Sequence, residues 1–178
     1  MTTTAEIPRT TAPPNGDTSI GMMQLLSFAV ASEGYAIPID AVSELVEVPT
    51  MTNLPLLPNF VRGVMNLRGS VVPIIDLAPR LLGLAPAKLS RRSCVVIVDA
   101  TDGSGQTQHV GMLVDAVHEV LDVAAQDIED APSLGTQAPA DFLDGVARVR
   151  GALIEVLALP RVLDLDQLAE LIGAHEAH

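Results

Sequence analysis

The chain has 178 residues, of which ten are Lys or Arg and 22 are Asp or Glu, so its net charge is −12. This length suits one domain or two small ones with a real core. The charge argues against nucleic acids and anionic membranes as partners, because both are bound through clusters of Lys and Arg. Aromatic residues make up only 2% of the chain, so its core must be aliphatic, and Val and Ile favour strands.

The cellular location is indicated by features that the sequence lacks. No stretch approaches the roughly 18 apolar residues that a membrane-spanning helix needs. A single cysteine, Cys94, excludes an internal disulfide and suits a reducing cytoplasm. Residues 1–20 are rich in Thr and Pro without apolar periodicity, which predicts a disordered tail and not a signal peptide. The sequence therefore indicates a cytoplasmic protein.

The first ordered elements are short strands separated by turns. Residues 22–30 and 35–39 predict two strands. The second lies at a sheet edge or ends early, because Pro38 cannot donate a hydrogen bond to a neighbouring strand. Asp40 is a candidate N-cap, so residues 40–46 predict about two turns of helix.

The most informative stretch is LLPNFVRGVMNLRGSVVPIIDLAPRLLGL. Its tight turn, Arg68-Gly69-Ser70, contains a glycine that can take the positive φ of a hairpin turn, which leaves Arg68 exposed at the apex. The pattern predicts a β-hairpin and a capped helix, with strands at 64–67 and 71–75, N-cap Asp76 and C-cap Gly83.

The remainder of the chain predicts two further hairpins and a last helix. The hairpin strands are expected at 94–98, 109–113, 146–149 and 153–157. Pro160 suits the first position of an amphipathic helix over about 160–172. Its buried stripe would consist of Leu163, Leu165, Leu168 and Leu171.

The second half of the chain repeats the first. Shifted by 82 positions, residues 59–77 lie without a gap on 141–159, with six of 19 positions identical. Shifted by 75, residues 39–48 lie on 114–123 with five of ten identical. Each copy has about 70 residues with five short strands, enough to close a small barrel and remove exposed sheet edges. The sequence predicts a mainly β protein of two such barrels and leaves open whether strands are exchanged between the copies.

No catalytic constellation accompanies this pattern. The four histidines lack zinc-ligand spacing, the serines lack a nucleophile elbow, and no phosphate-binding glycine motif is present. We therefore expect no catalytic residue, no metal and no cofactor. Two pairs stand out because they occupy the same places in the two copies: Glu44 with Arg68, and Glu119 with Arg150. They are either solvated surface charges or the frame of a protein docking surface.

The stretch NFVRGVMNLRGSVVPIIDLAPRLLGL, followed by CVVIVD, GMLVDAVHEV and FLDGVARVRG, resembles the CheW-like adaptor domains of bacterial chemosensory systems. The resemblance divides the chain into an N-terminal tail (1–20), a CheW-like domain (21–172, with repeats at about 22–90 and 91–165) and a C-terminal tail (173–178). It implies two intertwined SH3-like barrels of five strands each. It also implies a non-catalytic scaffold that couples methyl-accepting chemotaxis receptors to a CheA-type histidine kinase.

Carried over by position, the resemblance implies a docking region for the kinase's regulatory domain or the receptor, formed by Val42, Glu44, Leu45, Gly63, Val64, Asn66, Arg68 and Gly69. A hydrophobic groove between the barrels would receive the helical cytoplasmic tip of the receptor. The protein would then be recruited to receptor arrays at the inner face of the membrane. The alternative is a small β-barrel enzyme or ligand-binding protein that uses the cleft between the barrels, near His118 and Glu119.

Overall fold

A computed structural model describes residues 22–50, 58–101, 103–130 and 136–164. These residues form two short helices, α1 (Leu77–Leu82) and α2 (Leu159–Val162), and single 3-10 turns at Ile39–Ala41, Ala125–Asp127 and Ala140–Phe142. The strands are β1 (Met22–Val30), β2 (Glu33–Pro38), β3 (Val42–Glu47), β4 (Val61–Leu67), β5 (Ser70–Asp76), β6 (Cys94–Thr101), β7 (Thr107–Val114), β8 (Ala116–Ala124), β9 (Ile128–Glu129), β10 (Leu143–Val149) and β11 (Ala152–Leu157).

The strands form two sheets that exchange hairpins between the copies. One sheet has the order β8-β1-β2-β11-β10-β9 and the other β3-β6-β7-β5-β4. The first hairpin of copy one therefore completes the sheet of copy two, and the β6–β7 hairpin of copy two completes the sheet of copy one. This reciprocal exchange answers the question that the sequence left open. The two-residue strand β9 gives the first sheet one strand more than predicted.

The parallel strand pairs obey the offsets of the sequence repeat. Ala36 of β2 pairs with Val156 of β11, and Gly111 of β7 pairs with Ile74 of β5. The β2 and β7 positions differ by 75 and the β11 and β5 positions by 82, the same shifts that align the two copies. The repeat in the sequence is thus a pseudo-symmetry of the fold.

Each sheet is rolled so that its distant strands approach one another. Strands β3 and β4 are opposite edges of the five-stranded sheet, yet Glu44 of β3 contacts Arg68 in the β4–β5 turn. In the other sheet, Glu119 of edge strand β8 contacts Arg150 in the β10–β11 turn. This curvature agrees with the predicted SH3-like barrels.

Three aliphatic clusters stabilise this arrangement. One lies inside the five-stranded sheet and includes Met65, Ile74 and Ile97. A second, with Leu25 and Leu121, belongs to the six-stranded sheet. The largest draws side chains from both sheets and both helices, so the two barrels share one continuous core. The barrels are therefore parts of a single packed body.

An arginine from α1 lies where the two copies meet. The guanidinium carbon of Arg80 is 4.9 Å from the ring centre of Phe60 and 4.9 Å from that of Phe142, and these phenylalanines are equivalent in the sequence repeat. Its Nε donates to the carbonyl of Val162 at 2.8 Å. Burial lowers the pKa of Arg80, but guanidinium stays charged in proteins. The cation thus links one copy's helix to both phenylalanines.

The predicted helix over 40–46 is wrong. A 3-10 turn at Ile39–Ala41 is followed directly by strand β3, and Asp40 is not an N-cap, since the turn has no side-chain cap hydrogen bond. Leu45 pairs with Val96 of β6. The ladder offered by β6, together with the β-branched valines of the segment, outweighs a weak local helix tendency.

The predictions for the hairpin and its helix are confirmed, while the last helix differs. Asp76 caps α1 by accepting from the amide of Ala78, and Gly83 ends the helix at φ 65°. Of the helix predicted at 160–172, the described residues show α2, which begins at Leu159 and ends at Val162, and Leu163 beyond it is buried as expected. Residues 165–172 and both predicted tails lie outside the described residues. No helix in the described part of the chain is long and apolar enough to cross a bilayer.

Candidate docking surface

The β4–β5 turn holds its apex in a fixed backbone conformation. Arg68 and Gly69 have consecutive positive φ angles of 50° and 87°, as the two central residues of a type I′ hairpin turn do. The turn is therefore one residue shorter than predicted, and Ser70 already pairs with Leu67. The side chain of Asn66 accepts from the amide of Gly69 at 2.9 Å and fixes the turn further.

Arg68 makes a two-pronged ion pair with Glu44. Its Nη1 lies 2.8 Å from Oε1 of Glu44, and its Nη2 lies 3.3 Å from Oε2. The arginine side chain is 77% exposed, whereas the glutamate side chain is only 10% exposed. A partly buried carboxylate thus orients an arginine whose upper face stays open to a partner.

The other predicted site residues divide into two groups. Asn66 and Gly69 lie in the turn with Arg68, as expected. Val42 and Leu45 on β3 pack against the shared core and are only partly exposed. Two further predicted residues lie lower in β4, where Gly63 is buried beside an irregularity in the strand register and Val64 is partly buried. The predicted region is therefore a polar apex on an apolar base.

The sequence interpretation missed one exposed side chain next to this apex. Val71 follows the turn on β5 and is 70% exposed, although it is apolar. The equivalent residue of the second copy, Leu153, is also exposed. The repeat contained the signal, because both copies keep an aliphatic residue at this place beside the turn. We call Glu44, Asn66, Arg68, Gly69 and Val71 the Arg68 surface.

The second copy has a looser version of the same arrangement. Arg150 and Gly151 have φ angles of 50° and 80°, so the turn has the same backbone. Nη1 of Arg150 lies 3.2 Å from Oε1 of Glu119, whose side chain is 51% exposed. The pairing that the sequence suggested is thus present in both copies, with the tighter contact in the first.

Two small cavities bear on the alternative function. One, of about 300 Å³, lies between the barrels and is lined by Pro38, Ala41, Asp99, Ala100, Thr101, Asp144, Leu157, Leu159, Pro160 and Leu163. The other, of about 240 Å³, has His118 and Glu119 in its wall, but its lining comes entirely from the six-stranded sheet and its β10–β11 turn. The prediction that placed these two residues at the cleft between the barrels is therefore wrong. Among the described residues, no three His, Cys, Asp or Glu side chains cluster as a metal site would require.

Comparison with known proteins identifies the family. The family model described as "CheW-like domain" matches residues 24–169. The chain is 31% identical to Chemotaxis protein CheW of Rhizobium meliloti, over 83% of this chain and 91% of the relative. It is 28% identical to Chemotaxis protein CheW of Klebsiella aerogenes, over 87% and 90%.

A solved structure gives the same result for the fold. The crystal structure of the scaffolding protein TtCheW from Thermoanaerobacter tengcongensis superposes with a TM-score of 0.68 at 33% identity. The match covers 77% of this chain and 89% of the solved one. Sequence, fold and repeat agree, and the chain belongs to the CheW-like domain family.

Proposed function

We propose that this chain docks a CheA-type histidine kinase through the Arg68 surface and thereby couples the kinase to chemoreceptors. The family and its relatives are chemotaxis scaffolds, and the chain is accordingly an adaptor and not an enzyme. The partner surface on the kinase would be its regulatory domain. This function places the protein in the cytoplasm, at receptor arrays on the inner face of the membrane.

The observation that carries the proposal is the ion pair of an exposed arginine with a largely buried glutamate. Arginine is enriched at protein interfaces, and truncation of such anchors costs the most affinity. Glu44 and the Asn66 contact hold Arg68 before any partner arrives, so little conformational entropy remains to be lost on binding. Exposed Val71 beside it adds apolar area to the same face.

A second contact is proposed for the receptor. The cavity between the barrels is lined mainly by apolar residues of both copies, with Asp99 and Asp144 among them. An apolar groove of this kind suits the tip of a helical hairpin. The receptor would then bind at the junction of the barrels, separate from the Arg68 surface. The enzyme or ligand-binding alternative is not favoured, since the family consists of adaptors.

Titration calorimetry with the regulatory domain of the organism's own CheA-type kinase tests the proposal. Arg68→Glu should weaken binding about tenfold or more, because it places a carboxylate against Glu44 and against the partner's contacts. Arg148→Glu is the matched control, since Arg148 is also exposed and its pairing with Glu129 is long, at 3.9 Å. Its affinity should stay within about twofold of the native chain.

Circular dichroism and thermal melting accompany each variant. Equal affinities of the native chain and Arg68→Glu, with both folded, would rule out the Arg68 surface as the kinase site. A loss of binding in Arg148→Glu as large as that in Arg68→Glu would point to a general charge effect instead.

A further inference from the structure

The segment between α1 and β6 has a charge opposite to that of the rest of the molecule. We call residues 84–92, with the sequence LAPAKLSRR, the basic connector. Lys88, Arg91 and Arg92 are three of the ten basic residues of the chain and lie within five positions. All three are exposed. In a chain with a net charge of −12, this is a local positive patch.

The other described cations are already engaged. Five arginines form ion pairs and one is stacked between rings, namely Arg62 with Asp76, Arg68 with Glu44, Arg148 with Glu129, Arg150 with Glu119, Arg161 with Asp144, and Arg80 between Phe60 and Phe142. The three cations of the connector form no ion pair with any described carboxylate. No carboxylate in the described part of the chain therefore neutralises their charge.

The connector is irregular in secondary structure but is anchored to the core. The amide of Ala87 donates to Oδ2 of Asp76 at 2.8 Å, and its carbonyl accepts from Nη1 of Arg62 at 2.9 Å. Asp76 is completely buried. Further along, the amide of Ser90 donates to the hydroxyl of Ser93 at 2.8 Å. Both sides of the charged stretch are thus held in place.

Two leucines of the connector are exposed next to these charges. Leu84 is 47% and Leu89 is 49% exposed. A fixed surface that combines two apolar side chains with three cations that have no ion-pair partner among the described residues suits a ligand that carries carboxylates and aliphatic groups together.

We propose that the basic connector docks an acidic amphipathic segment of a partner protein. The negative charge elsewhere on this chain repels such a segment, so electrostatic attraction directs it to the connector. A second copy of this chain is disfavoured because two molecules of net charge −12 repel each other. An anionic membrane is disfavoured because lipid-binding clusters carry about four to eight cations. The inference does not depend on the kinase or the receptor.

A titration of the full-length ¹⁵N-labelled chain tests this proposal. The probe is a synthetic helical peptide of Glu, Leu and Ala, with the glutamates on one face and the leucines on the other. We expect saturable amide shifts confined to residues 84–92, and a weaker affinity as salt is raised. A peptide with Lys in place of Glu should cause no such shifts.

Matched variants separate the connector from general charge and hydrophobicity. Arg91→Glu should weaken peptide binding at least about fivefold, whereas Arg148→Glu, with the same charge change, should leave it unchanged. Leu89→Ser should weaken it by about twofold or more, and Met22→Ser, at an equally exposed residue, should not.

Four outcomes would overturn the proposal. The first is amide shifts away from the connector, and the second is an equal loss of peptide affinity in Arg91→Glu and Arg148→Glu. The third is self-association of the chain in the absence of peptide, and the fourth is tighter binding to phosphatidylglycerol vesicles than to the acidic peptide.

Discussion

The two copies of the repeat have similar backbone conformations and differ in the polar contacts that anchor them. At the end of β5 the amide of Asp76 donates to the carbonyl of Phe60 at 2.6 Å. At the end of β11 the amide of Ala158 donates to the carbonyl of Phe142 at 2.8 Å. The backbone contact is the same, but only the first copy has a carboxylate there. Because Ala158 makes the same backbone contact, the fold does not need a carboxylate at this position. The carboxylate of Asp76 therefore has its role in contacts to neighbouring groups of the first copy.

That carboxylate organises a junction that has no counterpart at the equivalent position of the second copy. Asp76 accepts from Arg62 and from the amides of Ala78 and Ala87, and so ties strand, helix and connector together. The position equivalent to Arg62 is Asp144, which instead forms an exposed ion pair with Arg161 at 3.3 Å. At these equivalent positions the first copy therefore has a buried polar junction and the second a surface pair. The buried carboxylate of the second copy lies elsewhere, at Glu155, which accepts from the amides of Gln137 and Ala138.

The two turns differ in the same direction. Glu44 binds Arg68 through two contacts and is mostly buried, whereas Arg150 contacts the half-exposed side chain of Glu119 through its Nη1 at 3.2 Å. Asn66 fixes the first turn, and its equivalent in the second copy is Arg148. Duplication gave two similar barrels, and among the described residues more side-chain contacts anchor the first apex than the second.

Replacement of Asp76 by Ala should have the largest effect on stability. It leaves two amides and the partly buried guanidinium of Arg62 without their acceptor, which costs about 3 kcal/mol of unfolding free energy. Asp144→Ala in the second copy should cost less than about 1 kcal/mol, because its pair is exposed. Urea unfolding of both variants measures the difference, and equal losses would contradict the contrast between buried and surface anchoring.

Valine at the turn glycines should have the next largest effect, and an equal one in both copies. Gly69 and Gly151 have positive φ, and an added Cβ would meet no atom within 4 Å at either position. The cost is therefore backbone strain alone, about 2 kcal/mol for a β-branched residue. Thermal melting of Gly69→Val and Gly151→Val measures it. A native melting temperature in either variant would show that the turn tolerates another conformation.

Features decided by neighbouring residues were predictable from the sequence. The glycine turn, the Asp76 cap and the Gly83 end of α1 each need only a few adjacent positions, and all three are confirmed. The repeat placed Glu44 and Arg68 at equivalent points to Glu119 and Arg150, and both contacts are present. The family followed from the same motif.

Features decided by distant pairing were not predictable. Residues 40–46 become turn and strand because β6, about fifty positions later, offers a ladder to β3. Exchange of hairpins depends on whether a hairpin pairs with the strands of its own copy or with those of the other copy. Because the copies have similar sequences, the sequence does not distinguish these two partners. The burial of Glu44 also depends on the curvature of the five-stranded sheet, which brings β3 close to the β4–β5 turn. The sequence alone therefore left two interpretations of the Glu44–Arg68 pair, surface charges or the frame of a docking surface.

Tyr35→Phe should stabilise the protein slightly. The hydroxyl of Tyr35, the single tyrosine of the chain, is buried and has no hydrogen-bond partner among the described residues, and the equivalent residue in the second copy is Val110. Removal of an unpaired buried hydroxyl should raise the unfolding free energy by about 1 kcal/mol. A loss of stability in urea would mean that the hydroxyl is paired.

The pKa of Tyr35 provides an independent measurement at the same residue. Burial, followed by the charges of Glu155 and Glu33, raises this pKa well above its usual value. When the pKa of a phenol is higher in the folded chain than in the unfolded one, the neutral phenol stabilises the fold below the unfolded pKa of about 10. This contribution to stability is lost as the pH rises above that value. Phenolate absorbance should therefore appear only as the native chain unfolds in alkali, and Tyr35→Phe should resist alkaline unfolding better.

The smallest expected effect measures the contrast between the two turns directly. Double-mutant cycles with alanine at Glu44 and Arg68, and at Glu119 and Arg150, isolate the two ion pairs. The first should contribute about 1 kcal/mol, because its glutamate is largely buried and two contacts form, and the second about 0.3 kcal/mol, as expected for an exposed pair. High salt should reduce the second term more than the first. If the two coupling energies are equal, burial of Glu44 does not stiffen the first apex, and any preference of a partner for that turn must come from its neighbours, with Val71 the first to test.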